Sequence, residues 1–292
     1  MAAPDAFADM DAATAGRLML LPDRGPETGA LHLVQFSTGA GSAEVAWRVV
    51  DQYGPGSVVL MTADTRVEDD DNWRFAAQVV ERLGCRWERL ADGRTPMQVG
   101  RDRRIVPNNR MPVCSTILKS QILRRHLDAH YDPANSVVYL GYDWTEPERH
   151  DRSVERWKPW QVRSPLMDSP YLSKPDLLQR FERRGIRPPR LYELGFPHAN
   201  CGGACVRGGQ AQWQRLLAVN RDRYLSWEAE EQTTRTLLGK DVAILRDRRG
   251  GTVTPLTLAR FRAKLEDQPD SYDVDDWGAC GCTESSTDSP PS

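Results

Sequence analysis

The sequence predicts an α/β fold: a parallel sheet with helices on both faces, then a smaller helix-rich region that contains most of the cysteines. Two observations predict the sheet. Continuous apolar runs recur at 31–36, 57–62 and 136–140, the pattern of strands covered on both faces. Amphipathic stretches lie between them and stop at glycines, and strand signals alternating with helix signals imply crossovers between parallel strands. A third observation gives the sheet a binding edge. Small residues crowd the turn after the first run, Ser37-Thr38-Gly39-Ala40-Gly41-Ser42.

Leu31 to Phe36 is the first strand and Glu44 to Tyr53 the first helix, stopped by Gly54-Pro55-Gly56. The turn between them lets backbone approach an anion, and the first amides of a helix point at it with the positive end of the dipole behind them. It reads as a phosphate-binding loop. A Walker loop is excluded, because Gly41 is followed by Ser42-Ala43 and no lysine. A dinucleotide fingerprint is excluded too, because Glu44 stands where the third glycine belongs. Glycines that serve packing alone are the alternative.

The second strand, Ser57 to Thr62, ends in Ala63-Asp64-Thr65, at the edge where open α/β sheets bind ligands. The acidic turn Glu68-Asp69-Asp70-Asp71 suits the start of a helix dipole. The helix it opens carries Trp73, Ala76, Ala77, Val80 and Leu83 on one side and stops at Gly84. Cys85, Trp87 and Arg89 alternate in a further strand, with Cys85 a core thiol. Cys114 leads a helix capped by Ser115, with Ile117, Leu118, Ile122, Leu123 and Leu127 at helical spacing. Ser136 to Leu140 then runs into Gly141-Tyr142-Asp143-Trp144, with Arg149 and Arg152 beyond.

In this order the segments resemble the ATP pyrophosphatase superfamily, in its phosphoadenosine phosphosulfate (PAPS) reductase-like, adenine nucleotide alpha hydrolase-like branch. The loop is similar to that superfamily's Ser-Gly-Gly-x-x-Ser, with Thr38 at the first glycine and Ala40-Gly41 at the variable-Asp pair. Asp64-Thr65 looks like its Asp-Thr strand end, and Cys114 to Lys119 like its Cys-x-x-x-x-Lys element. Gly141 and Arg149 look like its glycine and acid-and-arginine segment. The likeness covers 31–155, and 188–282 resembles phage-type members. It implies an adenine nucleotide, ATP or a sulfonucleotide (PAPS or APS), held by Ser37, Thr38, Gly39, Gly41, Ser42, Asp64, Thr65 and Gly141, with Mg²⁺ accompanying ATP. It also implies that Lys119 and Arg149 neutralise phosphate or sulfonate charge, and that a cysteine near the C-terminus, here Cys282, acts as a nucleophile.

The cysteines carry a second argument. Cys201-Gly-Gly-Ala-Cys205 and Cys280-Gly-Cys282 are glycine-spaced pairs, and glycines let a chain fold two thiolates around one metal. Cys114 is the family analogue of a cluster ligand in some reductases. With Cys201, Cys205 and one of Cys280 or Cys282 it makes a four-thiolate site, suited to an iron–sulfur (4Fe–4S) cluster, with zinc as the alternative. Either C-terminal cysteine could be the ligand, leaving the other as nucleophile. Small buried thiols and an exposed tail are the plainer account. His198 is a ligand or a structural hydrogen-bonder.

The 292 residues allow one large domain with an appendage. The expected divisions are a flexible arm at 1–29, a nucleotide-binding α/β domain at 30–155, a cysteine-containing region at 156–282 and a disordered Ser/Pro/acid-rich tail at 283–292. A formal net charge of −2 excludes a strongly basic nucleic-acid binder. No apolar run is long enough to span a membrane, so a cytoplasmic protein without a membrane partner is expected. In a reducing compartment six cysteines are ligands or thiols before they are disulfides. Arg180, Arg183, Arg184, Arg187 and Arg190, joined by Arg246, Arg248 and Arg249, form a local basic surface for tRNA or DNA. Three functions compete. One is ATP-dependent adenylation coupled to sulfur transfer from a donor protein. The others are sulfonucleotide reduction and non-catalytic binding of nucleotide or nucleic acid.

Overall fold

A computed structural model describes residues 29–248 and 252–278. Cys280, Cys282, Arg249, nearly all of the expected arm and the whole of the expected tail lie outside the described residues.

Five strands form one all-parallel sheet: β1 (Leu31–Gln35), β2 (Val58–Asp64), β3 (Arg86–Ala91), β4 (Ser136–Tyr139) and β5 (Gln161–Arg163). Their order is β3-β2-β1-β4-β5. The connecting helices are α1 (Ala40–Tyr53), α2 (Asp70–Leu83), α3 (Pro96–Asp102), α4 (Val113–Ser115), α5 (Gln121–His130) and α6 (Pro147–Trp157). Then follow α7 (Lys174–Arg183), α8 (Arg190–Glu193), α9 (Gln210–Val219), α10 (Arg221–Leu238) and α11 (Leu258–Asp267). A short antiparallel pair, β6 (Leu245–Asp247) and β7 (Thr254–Leu256), precedes α11. The fold class is the one the apolar runs predict, with a helix-rich region after the sheet.

Continuous apolar runs were needed because both faces are covered. Val34, Phe36 and Leu60 pack with Val49, Phe75, Val79 and Phe181 on one side. Leu33, Val59, Met61 and Val138 pack with Ile122, Leu127 and Trp157 on the other. Each such side chain stabilises the fold by about 1.5–3 kcal/mol when fully buried. β5 escaped the reading because only Val162 of its three residues is buried, and it carries the sheet beyond residue 155.

Two local expectations are corrected. The buried face of α2 centres on Phe75, Ala76, Val79 and Val80, while Trp73 sits at the rim with the Arg89 guanidinium 3.6 Å above its ring. That cation–π contact gives an amphipathic indole a use at the edge of the core. Ser115 does not cap its helix. The N-cap is Pro112, and Ser115 lies inside α4 with its amide on the Pro112 carbonyl at 2.9 Å. A π turn, Thr116–Ser120, separates α4 from α5, so the buried residues step from Leu118 to Ile122 and Leu123.

A second core forms around Trp213, Tyr224, Trp227 and Phe261, and Cys114, Ile117 and Leu118 belong to it. Glu231 ties it together, accepting from the amides of Ile244 and Leu258, both at 2.7 Å. The chain then returns to the start of α9. The Asp276 carbonyl accepts from the Ala211 amide at 2.9 Å, and its Oδ2 accepts from the Gln210 amide at 3.1 Å. Gly278, at φ +74°, lies so close that a Cβ there would meet the Arg207 carbonyl at 2.1 Å.

Candidate functional site

β1 and β4 are neighbours whose connections leave in opposite directions, and their carboxyl ends frame the crevice where sheets of this kind bind ligands. A cleft of about 190 Å³ opens there. Ser37, Gly39, Gly41 and Ser42 line it from the loop after β1, and Gly141, Asp143, Glu146 and Arg149 from beyond β4. Lys174, Tyr192, His198 and Asn200 close it from the later part of the chain.

The loop is held by its two serines. The Ser37 amide donates to Ser42 Oγ at 3.0 Å, and that hydroxyl donates to the Gly39 carbonyl at 3.0 Å. Gly39 is the N-cap of α1 and offers no side chain to the first amides. The Ala40 amide donates instead to the Tyr192 hydroxyl, at 3.2 Å, from 152 residues away. Gly141 packs against the loop, and a Cβ there would rest in ordinary contact with Ser42, 3.6 Å from its amide nitrogen.

Thr38 is the strained point. Its φ of 62° is left-handed, a conformation that β-branched residues avoid. It is buried, and its hydroxyl has no hydrogen-bond partner among the described residues. Thr38→Gly is therefore expected to raise unfolding stability by about 1 kcal/mol, strain relief and loss of an orphaned hydroxyl outweighing glycine's chain entropy. Thermal denaturation checks it: an unchanged or lower midpoint would mean that Thr38 is not under strain.

Two smaller cavities lie beside the cleft and share walls in turn. The first, about 30 Å³, shares Gln35 and Ser37 with it and adds Thr38, Glu68, Lys119 and Ser120. The second, about 10 Å³, shares Lys119 and adds Thr65, Cys114, Cys201, Cys205 and Arg207. Lys119 Nζ stands 3.7 Å from Glu68 Oε1. Glu68 also accepts from Thr65 Oγ1 at 3.0 Å and from the Cys201 amide at 2.6 Å, so one carboxylate joins the β2 edge, the lysine and the cysteine loop. Burial pushes the Cys114 thiol up to about 12; its neighbour Cys201 adds to the rise and Lys119 opposes it. The Cys201 turn is built at φ 50°, and Gly202 follows at φ 57° with the Arg223 guanidinium packed where a Cβ would stand.

Three of the predicted cysteines thus line one cavity. Among the described residues, however, no three His, Cys, Asp or Glu side chains are close enough to share a metal ion. The described thiols alone do not make the four-thiolate site expected from their spacing. Asp64 turns away from the cleft: its Oδ1 holds the Arg66 amide at 2.7 Å and its Oδ2 pairs with Arg89 at 2.7 Å. Arg149 lines the cleft as expected, pairs with Glu146 and lies 5.1 Å over the Tyr142 ring.

Four of the seven described arginines of the predicted basic surface are paired within the protein. Arg184 and Arg180 reach buried Glu44 at 2.6 and 3.4 Å, Arg190 reaches Asp69 at 2.9 Å, and Arg187 reaches Glu193 at 2.6 Å. Glu68, Tyr192, Lys174 and Arg207 were not picked out from the sequence as site residues. Glu68 was hidden in an acidic turn whose capping role belongs to Asp69, the acceptor of the Asp71 amide at 2.9 Å. No helix of the described residues is long and apolar enough to cross a membrane.

No protein-family model and no curated protein matches this sequence. Solved structures are similar in fold. NMN synthetase from Francisella tularensis aligns at TM-score 0.39 and 12% identity, over 55% of this chain and 63% of that one. PAPS reductase from Candida auris, in a phosphate complex, aligns at TM-score 0.38 and 12% identity, over 56% and 78%. NH3-dependent NAD synthetase from Campylobacter jejuni aligns at TM-score 0.34 and 13% identity, over 74% and 86%. The chain spans less than two thirds of the length of the NMN synthetase.

Proposed function

We propose that this chain binds ATP in the cleft, adenylates a substrate oxygen and couples that step to sulfur transfer. One observation carries the reading: the cleft at the phosphate-type loop shares Gln35 and Ser37 with the Lys119 cavity, which in turn shares Lys119 with the cavity of Cys114, Cys201 and Cys205. A nucleotide site that only had to bind would not need thiols at its far end.

In this reading the amides of the Gly39–Gly41 loop and the hydroxyls of Ser37 and Ser42 hold the phosphates, joined by the Thr38 hydroxyl. Mg²⁺ accompanies the nucleotide. Lys119 and Arg149 bear on its charge from two sides, each charge-assisted contact contributing about 1.5–3 kcal/mol. The substrate oxygen attacks the α-phosphorus as the bond to pyrophosphate breaks. Sulfur at the hydrosulfide level, from a donor protein, then attacks the activated carbon and AMP leaves with the oxygen. No net redox change is needed.

A thiolate-held iron–sulfur centre on Cys114, Cys201, Cys205 and Cys280 belongs to the same reading, whereas Cys282 would react in the reductase alternative, its thiolate attacking the sulfonate sulfur as the nucleotide phosphate leaves. Support comes from the three thiols lining one cavity and from Gly278 lying against Arg207. Such a centre would hold or polarise the sulfur in transfer, whereas zinc would brace the fold.

The test is release of AMP and pyrophosphate from ATP, with iron and acid-labile sulfide measured after anaerobic purification. Lys119→Met is expected to lower nucleotide affinity by about 10-fold or more, the equivalent of one charge-assisted contact. Full affinity and turnover in that variant would remove Lys119 from the site. Reduction of PAPS or APS without AMP formation from ATP would favour the reductase alternative.

A further inference from the structure

We propose that Tyr192 is a latch on the phosphate loop: its hydroxyl holds the Ala40 amide until an anionic phosphate oxygen displaces it. This rests on the reading that phosphates bind at the loop, and it adds the condition under which they enter. The bond itself is the observation behind it. The Ala40 amide donates to the Tyr192 hydroxyl at 3.2 Å, and a Cβ on Gly39 would meet the same hydroxyl at 3.3 Å. A side chain from the later part of the chain therefore stands over the first turn of α1, where Gly39 and Tyr192 both line the cleft.

A helix leaves its first amides without partners of its own, and a serine, threonine or aspartate at the N-cap ordinarily meets one of them. Gly39 is the N-cap of α1 and makes no such bond, so the tyrosine supplies the acceptor from 152 residues away. That bond is made to be exchanged. At 3.2 Å it stands at the long end of the range for an amide donor, and its acceptor is neutral. A phosphate oxygen is charged, and hydrogen bonds to charged groups are roughly twice as strong as neutral ones. A neutral oxygen gains nothing by taking the place of another. The latch therefore yields to an anion and resists a ligand that has only the right shape.

The ring moves and the helix that carries it does not. The Arg190 amide donates to Asp71 Oδ2 at 2.7 Å, the Arg190 side chain pairs with Asp69 at 2.9 Å, and Leu191 is buried in the second core. The Tyr192 carbonyl accepts from the Gly195 amide at 3.0 Å. The Tyr192 ring is only half-buried, at the border of the first and second cores, with the Lys174 ammonium 5.5 Å from its centre. Rotation about the side-chain torsions takes the hydroxyl off Ala40 and leaves those backbone bonds intact. A ligand that must compete in this way binds with an affinity reduced by the fraction of molecules already unlatched.

The experiment is calorimetric titration of the full chain with ATP, pyrophosphate and adenosine, wild type against Tyr192→Phe. Phenylalanine keeps the ring and removes the hydroxyl. The variant is expected to bind ATP and pyrophosphate about 3- to 10-fold more tightly, the equivalent of one neutral hydrogen bond no longer in competition. Adenosine, which brings no phosphate, is expected to bind both proteins alike. If the phenylalanine variant does not fold, Tyr192→Met carries the same expectation, since its flexible side chain fills the place of the ring without a hydroxyl. Weaker binding of the phosphate ligands by the variant overturns the proposal, because the hydroxyl would then be one of their ligands. Equal binding overturns the latch and keeps the nucleotide site, and an equal gain for adenosine also overturns the latch. No binding of ATP or pyrophosphate by either protein removes both. A tighter variant that never forms AMP from ATP refutes adenylation and keeps the latch.

Discussion

Gly39→Leu is expected to abolish measurable ATP binding while leaving the fold intact. Gly39 sits at φ −95° and ψ 163°, extended backbone open to any residue, so the substitution brings no backbone strain. Its Cβ would stand 3.3 Å from the Tyr192 hydroxyl, and the rest of the side chain would extend into the space over the first amides of α1. Those amides are the ones a phosphate would use. Losing two charge-assisted contacts removes roughly 3–6 kcal/mol, about 100-fold or more in affinity. Gly39→Ala should do less, because Tyr192 has only to shift by a few tenths of an ångström. Calorimetric titration with ATP checks the first effect, and circular dichroism with the thermal midpoint checks the second clause. Wild-type affinity in the leucine variant would mean that the loop is a packing turn.

The largest stability effect is expected at Glu231. Its two oxygens each take a backbone amide, from the end of the α10–β6 connection and from the first residue of α11. Glu231→Ala leaves both donors buried and unmet, a loss of roughly 2–6 kcal/mol. Glu231→Gln keeps one acceptor and should lose about half as much. Burial pushes the Glu231 carboxyl up to about 7 from an ordinary 4.5, against the two amides that hold it down. The folded protein therefore keeps this proton to higher pH than the unfolded chain does. The associated stability is complete below about 4.5 and is lost as pH rises through about 7. Urea unfolding at pH 5 and pH 8 should show wild type weakening with pH and Glu231→Ala changing little between the two. Identical midpoints for wild type and the alanine variant would show that the two amides find other acceptors.

The sheet was legible because strands buried on both faces cannot hide their apolar runs, and the loop because its small residues stand together between a strand and a helix. β5 was not, since one buried residue among three has no periodicity to read. The three cysteines could be grouped by their glycine spacing, and they do line one cavity. What spacing could not convey is which carboxylate serves them. Glu68 looks like any other member of an acidic turn until Asp69 is seen to do the capping. Tyr192 was equally hidden, because its bond to Ala40 spans 152 residues and leaves no local mark. The arginines of α7 misled for a related reason. Their partner, Glu44, lies on α1 and is invisible in a count of nearby charges.

The π turn at Thr116–Ser120 has a consequence for how this protein can change over generations. One residue more than an α-helix needs turns everything after it by about 100° relative to everything before it. Cys114 and Lys119 answer to the cavity, while Ile122, Leu123 and Leu127 answer to the sheet, and the extra residue is what lets both be satisfied. Substitutions within either half leave that phase alone, so each half can drift under its own constraint. Loss of any one residue from the turn would keep a good helix yet point the thiol or the core residues the wrong way. The segment should therefore tolerate exchange of letters far better than a change in their number.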